Sequence, residues 1–155
     1  ILAFNRYLKK HPKSKVELAI SGKYGWGQDV STVQHPQIKI LGYIPEKDMV
    51  ALHAAALFMA YPSFYEGFGL PLVKSMAVGV PVLTSNTSSL PEIAGEGGII
   101  VKPNSIQSIY KGIEKLLSNK KYRQKIASKA IEQAKLFSWS KCASETLDLY
   151  SKLIA

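Results

Sequence analysis

Residues 63–85 read SFYEGFGLPLVKSMAVGVPVLTS, and this stretch decides the fold of the chain. The apolar segments 57–61 and 80–84 are typical of buried β-strands, and a short helix fits between them. The loop that carries Glu66 therefore follows a strand and opens a helix. Ligands bind at this edge of the sheet in open α/β proteins, so we expect a ligand site here.

The residue types in this loop indicate a ligand that is partly anionic. Gly67 and Gly69 allow the backbone to approach a ligand closely, and Pro71 suits the first turn of a helix. The N–H groups and the dipole at the start of that helix favour a phosphate. Glu66 would repel a phosphate, so its presence indicates that the ligand also carries hydroxyl groups.

The remaining sequence alternates short apolar segments with amphipathic ones, which is typical of a parallel sheet covered by helices on both faces. We predict an α/β, Rossmann-like single domain over residues 1–155, with an irregular connection over 23–36. The predicted strands cover 16–20, 38–41, 57–61, 80–84 and 98–101. The predicted helices cover 2–10, 46–55, 70–78, 105–118, 121–136 and a last segment that starts at Ser138 or Ser140.

The composition excludes several classes of protein. The chain has 155 residues, 46% of them apolar, which suits one domain with a sizeable core. No apolar run approaches the roughly 18 residues of a membrane-spanning helix, and the start does not resemble a secretory signal. The one cysteine, Cys142, excludes an internal disulfide framework; we expect a buried thiol there and a buried anchor at Trp139.

The charge is strongly positive and unevenly distributed. The formal net charge is +9, and residues 102–155 hold eleven of the twenty Lys and Arg but four of the eleven acids. Three interpretations stay open: solvated helix faces, contact with an anionic membrane surface, and nucleic-acid binding. No recognised nucleic-acid motif accompanies the charge, so the last ranks lowest.

Several stretches of the chain together resemble one known family. They are EGFGLPLVK at 66–74, LGYIPEKDMVALHAAALFMAYPS before it, MAVGVPVLTS and SSLPEIAGEGG after it, and FSW at 137–139. This pattern resembles the donor-binding, C-terminal domain of retaining GT-B glycosyltransferases of family 4, also called glycosyl transferases group 1. The resemblance covers nearly the whole chain.

The resemblance implies a role for each residue of the central loop. Glu66 would be the catalytic-site acid, accepting hydrogen bonds from hydroxyls of the transferred sugar. The backbone N–H groups of Gly67, Phe68, Gly69 and Leu70 would face the sugar and the diphosphate. A tight turn between strand and helix would need the same glycines for its backbone geometry alone.

Lys74 departs from the family pattern. The family has a second glutamate at this position, which would hold the ribose hydroxyls of the nucleotide. Lysine is a cationic donor and cannot accept from both hydroxyls. Weaker donor binding, a lysine that reaches phosphate, and loss of transfer activity are all open; the side chain could also point into solvent.

Other candidate residues follow strand ends at the same edge of the predicted sheet. The resemblance implies that Tyr43 and Ile44 line a base pocket, although packing in the core explains them equally well. Ser63 could contact the ligand or cap a helix. Gly22 and Lys23 follow the first strand, where Lys23 could face a diphosphate or solvent.

The implied function is half of an enzyme. The resemblance implies the C-terminal half of a GT-B fold that lacks its first strand and the N-terminal acceptor-binding domain, so the fragment alone would be inactive. It further implies a nucleoside-diphosphate-sugar donor, a lipid-linked or polysaccharide acceptor, no metal or other cofactor, and a cytoplasmic protein that can contact the inner membrane face. The alternatives are a non-catalytic binding or scaffold domain, which Lys74 favours, and a related GT-B epimerase.

Overall fold

The structure is a computed structural model that describes residues 1–22 and 35–154. Its helices are α1 (Leu2–Lys10), α2 (Glu46–Ala54), α3 (Leu70–Ala77), α4 (Leu90–Ala94), α5 (Ile106–Ser118), α6 (Lys120–Ala134) and α7 (Trp139–Ile154). Its strands are β1 (Leu18–Ser21), β2 (Ile38–Gly42), β3 (Met59–Tyr61), β4 (Val82–Ser85) and β5 (Gly98–Val101). The predicted α/β class is confirmed.

All strand pairs are parallel, but they form two sheets. β1 pairs with β2, and β3, β4 and β5 follow one another in a second sheet with Met59 opposite Val82 and Val82 opposite Gly98. The predicted parallel pairing is confirmed, and among the described residues the predicted sheet is divided into these two parts. Apolar patterns identify strands, whereas the neighbours of each strand are decided by tertiary packing.

Helices cover both faces of β4, the central strand of the second sheet. Every residue of β4 is buried, and neighbouring side chains point to opposite faces, Leu83 into one core cluster and Val82 into the other. The first cluster also takes side chains from α1, β1, β2 and α5. The second takes side chains from α3, α4 and α6. This is the two-faced layering that the sequence pattern predicts.

Capping side chains explain where α5 and α6 begin, and a glycine explains how closely α6 packs against the turn before β5. The Ser105 hydroxyl accepts from the amide of Ser108 at 3.2 Å, capping α5, and the Asn119 side chain caps α6 in the same way. α6 lies tightly against the turn before β5. A Cβ on Gly97 would lie 2.5 Å from the Cα of Ala130, so only glycine fits there.

The last helix, α7, contradicts two expectations. None of its residues is buried; Trp139 is 78% exposed, and Cys142 is exposed as well. Trp139 is thus not a buried anchor, and Cys142 is not a buried thiol. The apolar stripe of Leu147, Tyr150 and Ile154 predicts a face that can pack, but no described residue covers it.

Candidate functional site

The loop between β3 and α3 has the geometry that the sequence predicts for a ligand site. Tyr61 ends β3, and α3 begins at Leu70 directly after Gly69, whose φ of +108° favours glycine. Within residues 1–22 and 35–154, no hydrogen bond uses the amides of Gly67, Phe68, Gly69 or Leu70 as donors. These N–H groups therefore remain available at the start of a helix.

Glu66 is held at this edge by both its side chain and its backbone. The Tyr61 hydroxyl donates to Oε1 of Glu66 at 2.7 Å, and the amide of Glu66 donates to Oγ of Ser88 at 3.1 Å. Burial, followed by the hydrogen bond to Glu66 and its charge, raises the pKa of Tyr61 to about 12. Tyr61 is consequently a hydrogen-bond donor at any physiological pH.

A hydroxyl-rich segment, Thr84–Ser89, fixes the backbone of the same loop. Its hydroxyls donate to five carbonyls of residues 61–68: Thr84 to Tyr61 at 2.9 Å, Ser85 to Ser63, Thr87 to Phe64 at 2.9 Å, and Ser89 to Glu66 at 3.1 Å and to Phe68 at 2.8 Å. Side-chain hydrogen bonds thus replace the regular ladder where the strand has ended. This role was not predicted from the sequence, although the run TSNTSS at the end of an apolar segment is typical of side chains that bond to nearby backbone.

The tip of the loop has an aromatic contact as well. Phe68 meets Phe137, which lies between α6 and α7, edge to face, with ring centroids 5.6 Å apart. Such pairs contribute about 0.5–1.5 kcal/mol beyond the area they bury. The FSW motif therefore provides one wall for the loop through Phe137, while Trp139 remains exposed.

Lys74 forms an ion pair with a neighbouring helix. Its Nζ donates to Oε1 of Glu46, the first residue of α2. His53, buried on α2, has a pKa lowered by burial first and then by the charge of Lys74, while Glu46 acts in the opposite direction. The role of Lys74 in ligand binding stays a prediction, and its partner Glu46 is a residue that the sequence analysis did not single out.

The other predicted residues lie at the ends of β1, β2 and β3. Gly22 follows β1, and its amide donates to the Gly42 carbonyl at 2.8 Å. Tyr43 and Ile44 follow β2, Tyr43 being 66% exposed. Ser63 does not cap a helix: its hydroxyl donates to the carbonyl of Tyr65 at 3.2 Å. Lys23 lies outside the described residues.

The site is an open edge. Two surface cavities of about 470 and 230 Å³ lie elsewhere, the first lined by Tyr7 and residues 11–14 and the second by α6 with Glu96. In the described part of the chain, no three His, Cys, Asp or Glu side chains come together as metal ligands. None of the described helices is long and apolar enough to cross a membrane.

Comparison with known proteins shows the family of the chain. The family model described as "Glycosyl transferases group 1" matches residues 1–133. The chain therefore belongs to that family, and the resemblance read from the EGFGLP loop is confirmed.

The curated relatives that the chain matches are longer proteins. It is 37% identical to the O-antigen chain mannosyltransferase B of Escherichia coli, over 99% of this chain and 42% of that protein. It is 29% identical to a D-inositol 3-phosphate glycosyltransferase of a Nocardioides species, over 92% of this chain and 31% of that protein. The chain thus spans less than half the length of these relatives.

Among solved structures, the Anabaena protein HepE, described in complex with UDP and glucose, matches 97% of this chain and 44% of its own, with a TM-score of 0.80 and 21% identity. The C-terminal domain of LpcC, a group 1 glycosyl transferase from Francisella tularensis, matches 64% of this chain with a TM-score of 0.59 and 31% identity. The first similarity shows the fold alone, one half of a GT-B fold.

Proposed function

We propose that this chain is the donor-binding half of a retaining glycosyltransferase, which moves a sugar from a nucleoside diphosphate to an acceptor. The observation that carries the proposal is the loop 66–70. It places a firmly held carboxylate beside backbone N–H groups that are unused among the described residues, at the start of α3. One part of the loop suits sugar hydroxyls and the other suits phosphate.

In this proposal, transition-state stabilisation is electrostatic. As the bond between sugar and diphosphate breaks, negative charge develops on the leaving phosphate. The N–H groups of residues 67–70 are aimed at that charge, and such preorganised donors stabilise a transition state without reorganising. Glu66 holds the sugar in register through its hydroxyls. We propose that the reaction needs no bound metal.

The identity of the donor is proposed from relatives. Mannosyltransferase B, with 37% identity over nearly the whole chain, favours a mannosyl donor and an acceptor that belongs to a surface polysaccharide or its lipid-linked precursor. The UDP and glucose of the HepE complex support a nucleoside diphosphate sugar as the class of ligand. Tyr43 and Ile44 would then face the base.

We propose that a second domain completes the enzyme. The chain covers 42% of mannosyltransferase B and 44% of HepE, so more than half of each of these two proteins lies outside the matched region. The two sheets share a core cluster, yet no described strand joins them, which suits a sheet whose first strand is missing. Because acceptor binding would require the other domain, we expect the chain alone to bind donor without transferring sugar.

A second candidate function is a donor-binding domain without transferase activity, and the Lys74–Glu46 ion pair favours it. Lys74→Glu distinguishes the two, provided that repulsion from Glu46 is removed by the paired change Glu46→Lys. A large gain of nucleotide affinity in the double variant indicates a binding site that has lost an acid. A loss of affinity indicates that Lys74 itself contacts the ligand.

We also propose a cytoplasmic location at the inner membrane face. The exposed side chains of Lys120, Lys121 and Lys125 on α6 support contact with anionic lipid, since each such charge contributes about 1 kcal/mol near a membrane surface. Sedimentation with vesicles of anionic phospholipid, compared with neutral vesicles, tests this. Equal sedimentation with both would contradict it.

Thermal unfolding in the presence of ligand tests the main proposal. Ligand at about 100 times its Kd stabilises a protein by about 2.7 kcal/mol, which raises Tm by several degrees in a domain of this size. We expect UDP or GDP to raise Tm, with one base favoured. No shift with either nucleotide at millimolar concentration would contradict nucleotide binding.

A further inference from the structure

Two residues from different strand ends hold Glu66. Tyr61, at the end of β3, donates its hydroxyl proton to one carboxylate oxygen at 2.7 Å. Ser88 lies 22 positions after Glu66, beyond the end of β4, and its Oγ accepts from the Glu66 amide at 3.1 Å. The side chain and the backbone of the same acid are therefore fixed independently.

Ser88 has an unusual backbone. Its φ is +51°, and among residues 1–22 and 35–154 it is the one residue other than glycine with a positive φ. An L-amino acid in this region is strained, and such strain concentrates where a site needs a particular geometry. Ser88 is also the residue whose Oγ accepts from the Glu66 amide, so the strain and the hydrogen bond occur at the same residue.

The two oxygens of the Glu66 carboxylate differ in their contacts. Oε1 accepts from Tyr61, while no hydrogen bond or ion pair within the described part of the chain reaches Oε2. We propose that Tyr61 and Ser88 are positioning residues, which aim Oε2 of Glu66 at a single hydroxyl of the donor sugar. This inference rests on the proposed function and adds how the sugar is selected.

The difference between the two oxygens has a consequence for specificity. A carboxylate with two free oxygens grips a vicinal diol with both, which tolerates several arrangements of hydroxyls. Tyr61 takes one of the two acceptor sites of Oε1 and fixes the orientation of the carboxylate. The direction in which Oε2 accepts is therefore set in advance, and one correctly placed hydroxyl decides the contact. The sugar part of the ligand should therefore depend on Tyr61 and Ser88, whereas the diphosphate part should not.

Calorimetric titration of the full chain with UDP, GDP, UDP-glucose and GDP-mannose tests this. The readout is the ratio of affinities between a sugar nucleotide and its parent nucleoside diphosphate. We expect Tyr61→Phe, Ser88→Ala and Ser88→Gly to lower that ratio about tenfold, the scale of one hydrogen bond to a charged group, with the affinity for the nucleoside diphosphate unchanged. Tyr150→Phe, which removes an exposed phenol on α7, should change neither.

Ser88→Gly separates positioning from folding, because glycine relieves the strain that alanine would retain. A ratio that stays at the wild-type value in both Tyr61→Phe and Ser88→Gly would overturn the inference. Amide hydrogen exchange without ligand gives a second readout: Glu66 should be protected in the wild type and should lose protection in both Ser88 variants. If no nucleotide binds, but the Glu66 amide is protected in the wild type and loses protection in the Ser88 variants, the proposed function fails and the geometry of Glu66 stands. If the Glu66 amide is equally protected in the wild type and in both Ser88 variants, the positioning role of Ser88 is overturned directly.

Discussion

Glu66→Gln separates the two parts of the proposed ligand. The substitution keeps an oxygen that can accept from the Tyr61 hydroxyl, which now donates to Oε1 at 2.7 Å, so the loop should keep its shape. It removes the negative charge. With that oxygen kept at Tyr61, an amide NH2 donor replaces Oε2. The variant therefore tests the free, charged acceptor of Glu66 while the loop keeps its contact with Tyr61.

The expected magnitude follows from the contact that is weakened. A hydrogen bond to a charged group contributes about 1.5–3 kcal/mol and a neutral one about 0.5–1.5, so the difference is about 1–1.5 kcal/mol. That corresponds to about a tenfold loss of affinity for the sugar nucleotide. Affinity for the nucleoside diphosphate should stay the same or increase, because a negative charge beside the phosphates is gone.

Isothermal titration of both ligands into the wild type and the variant measures these changes. Glu132→Gln is the matched control, since Glu132 is an exposed acid in an ion pair with Lys135 at 2.8 Å on α6. Tm should be unchanged in both variants. Equal losses for the sugar nucleotide and the nucleoside diphosphate, or no loss for the sugar nucleotide, would refute the assignment of Glu66 to the sugar.

Three further predictions concern stability and metal dependence. Burial lowers the pKa of His53 below 6.5, so the imidazole binds a proton more readily in the unfolded chain than in the folded one. The free energy of unfolding should therefore be at its full value above pH 6.5 and should fall as the pH drops toward the pKa of the folded state. In measurements of Tm from pH 5 to 8, His53→Gln should reduce this dependence on pH. Gly97→Ala places a Cβ 2.5 Å from the Cα of Ala130 and should lower the free energy of unfolding by about 1–3 kcal/mol, measured with a chemical denaturant. Gly67→Ala is the control, because the space around Gly67 is open and its unfolding midpoint should equal that of the wild type. Equal midpoints for the two variants would contradict the packing of α6. Nucleotide affinity should be the same with EDTA and with added Mg²⁺, and a requirement for the cation would contradict the metal-free proposal.

Much of the fold could be predicted because local patterns carry it. The predicted bounds of the first helix and of the strand at 98–101 agree with α1 and β5, and the loop that precedes α3 lies where the EGFGLP stretch indicates. Periodicity and glycine positions depend on neighbouring residues alone. They identify the elements and the face that each one buries.

The missing parts depend on contacts between distant residues. The sequence of α7 predicts an apolar stripe, but it does not determine whether another part of the structure packs against that stripe. Trp139 and Cys142 are exposed, contrary to the expectation. The break between the two sheets likewise depends on which strands become neighbours.

The candidate site shows the same division. The sequence predicts Glu66 and the neighbouring glycines as site residues. The contacts of Tyr61 and Ser88 with Glu66 could not be predicted, because they depend on the pairing of β3 with β4. A positive φ at a serine has no signature in composition, and so the strained position could not be predicted.

The central claim is that the N–H groups of residues 67–70 bind the diphosphate while Glu66 binds the sugar. Amide chemical shifts of the ¹⁵N-labelled chain, followed during titration with UDP or GDP and then with the matching sugar nucleotide, test it most directly. We predict that the nucleoside diphosphate shifts the amides of Gly67, Phe68, Gly69 and Leu70, and that the attached sugar adds a shift at Glu66. Saturable binding that leaves these five amides unmoved would contradict the account.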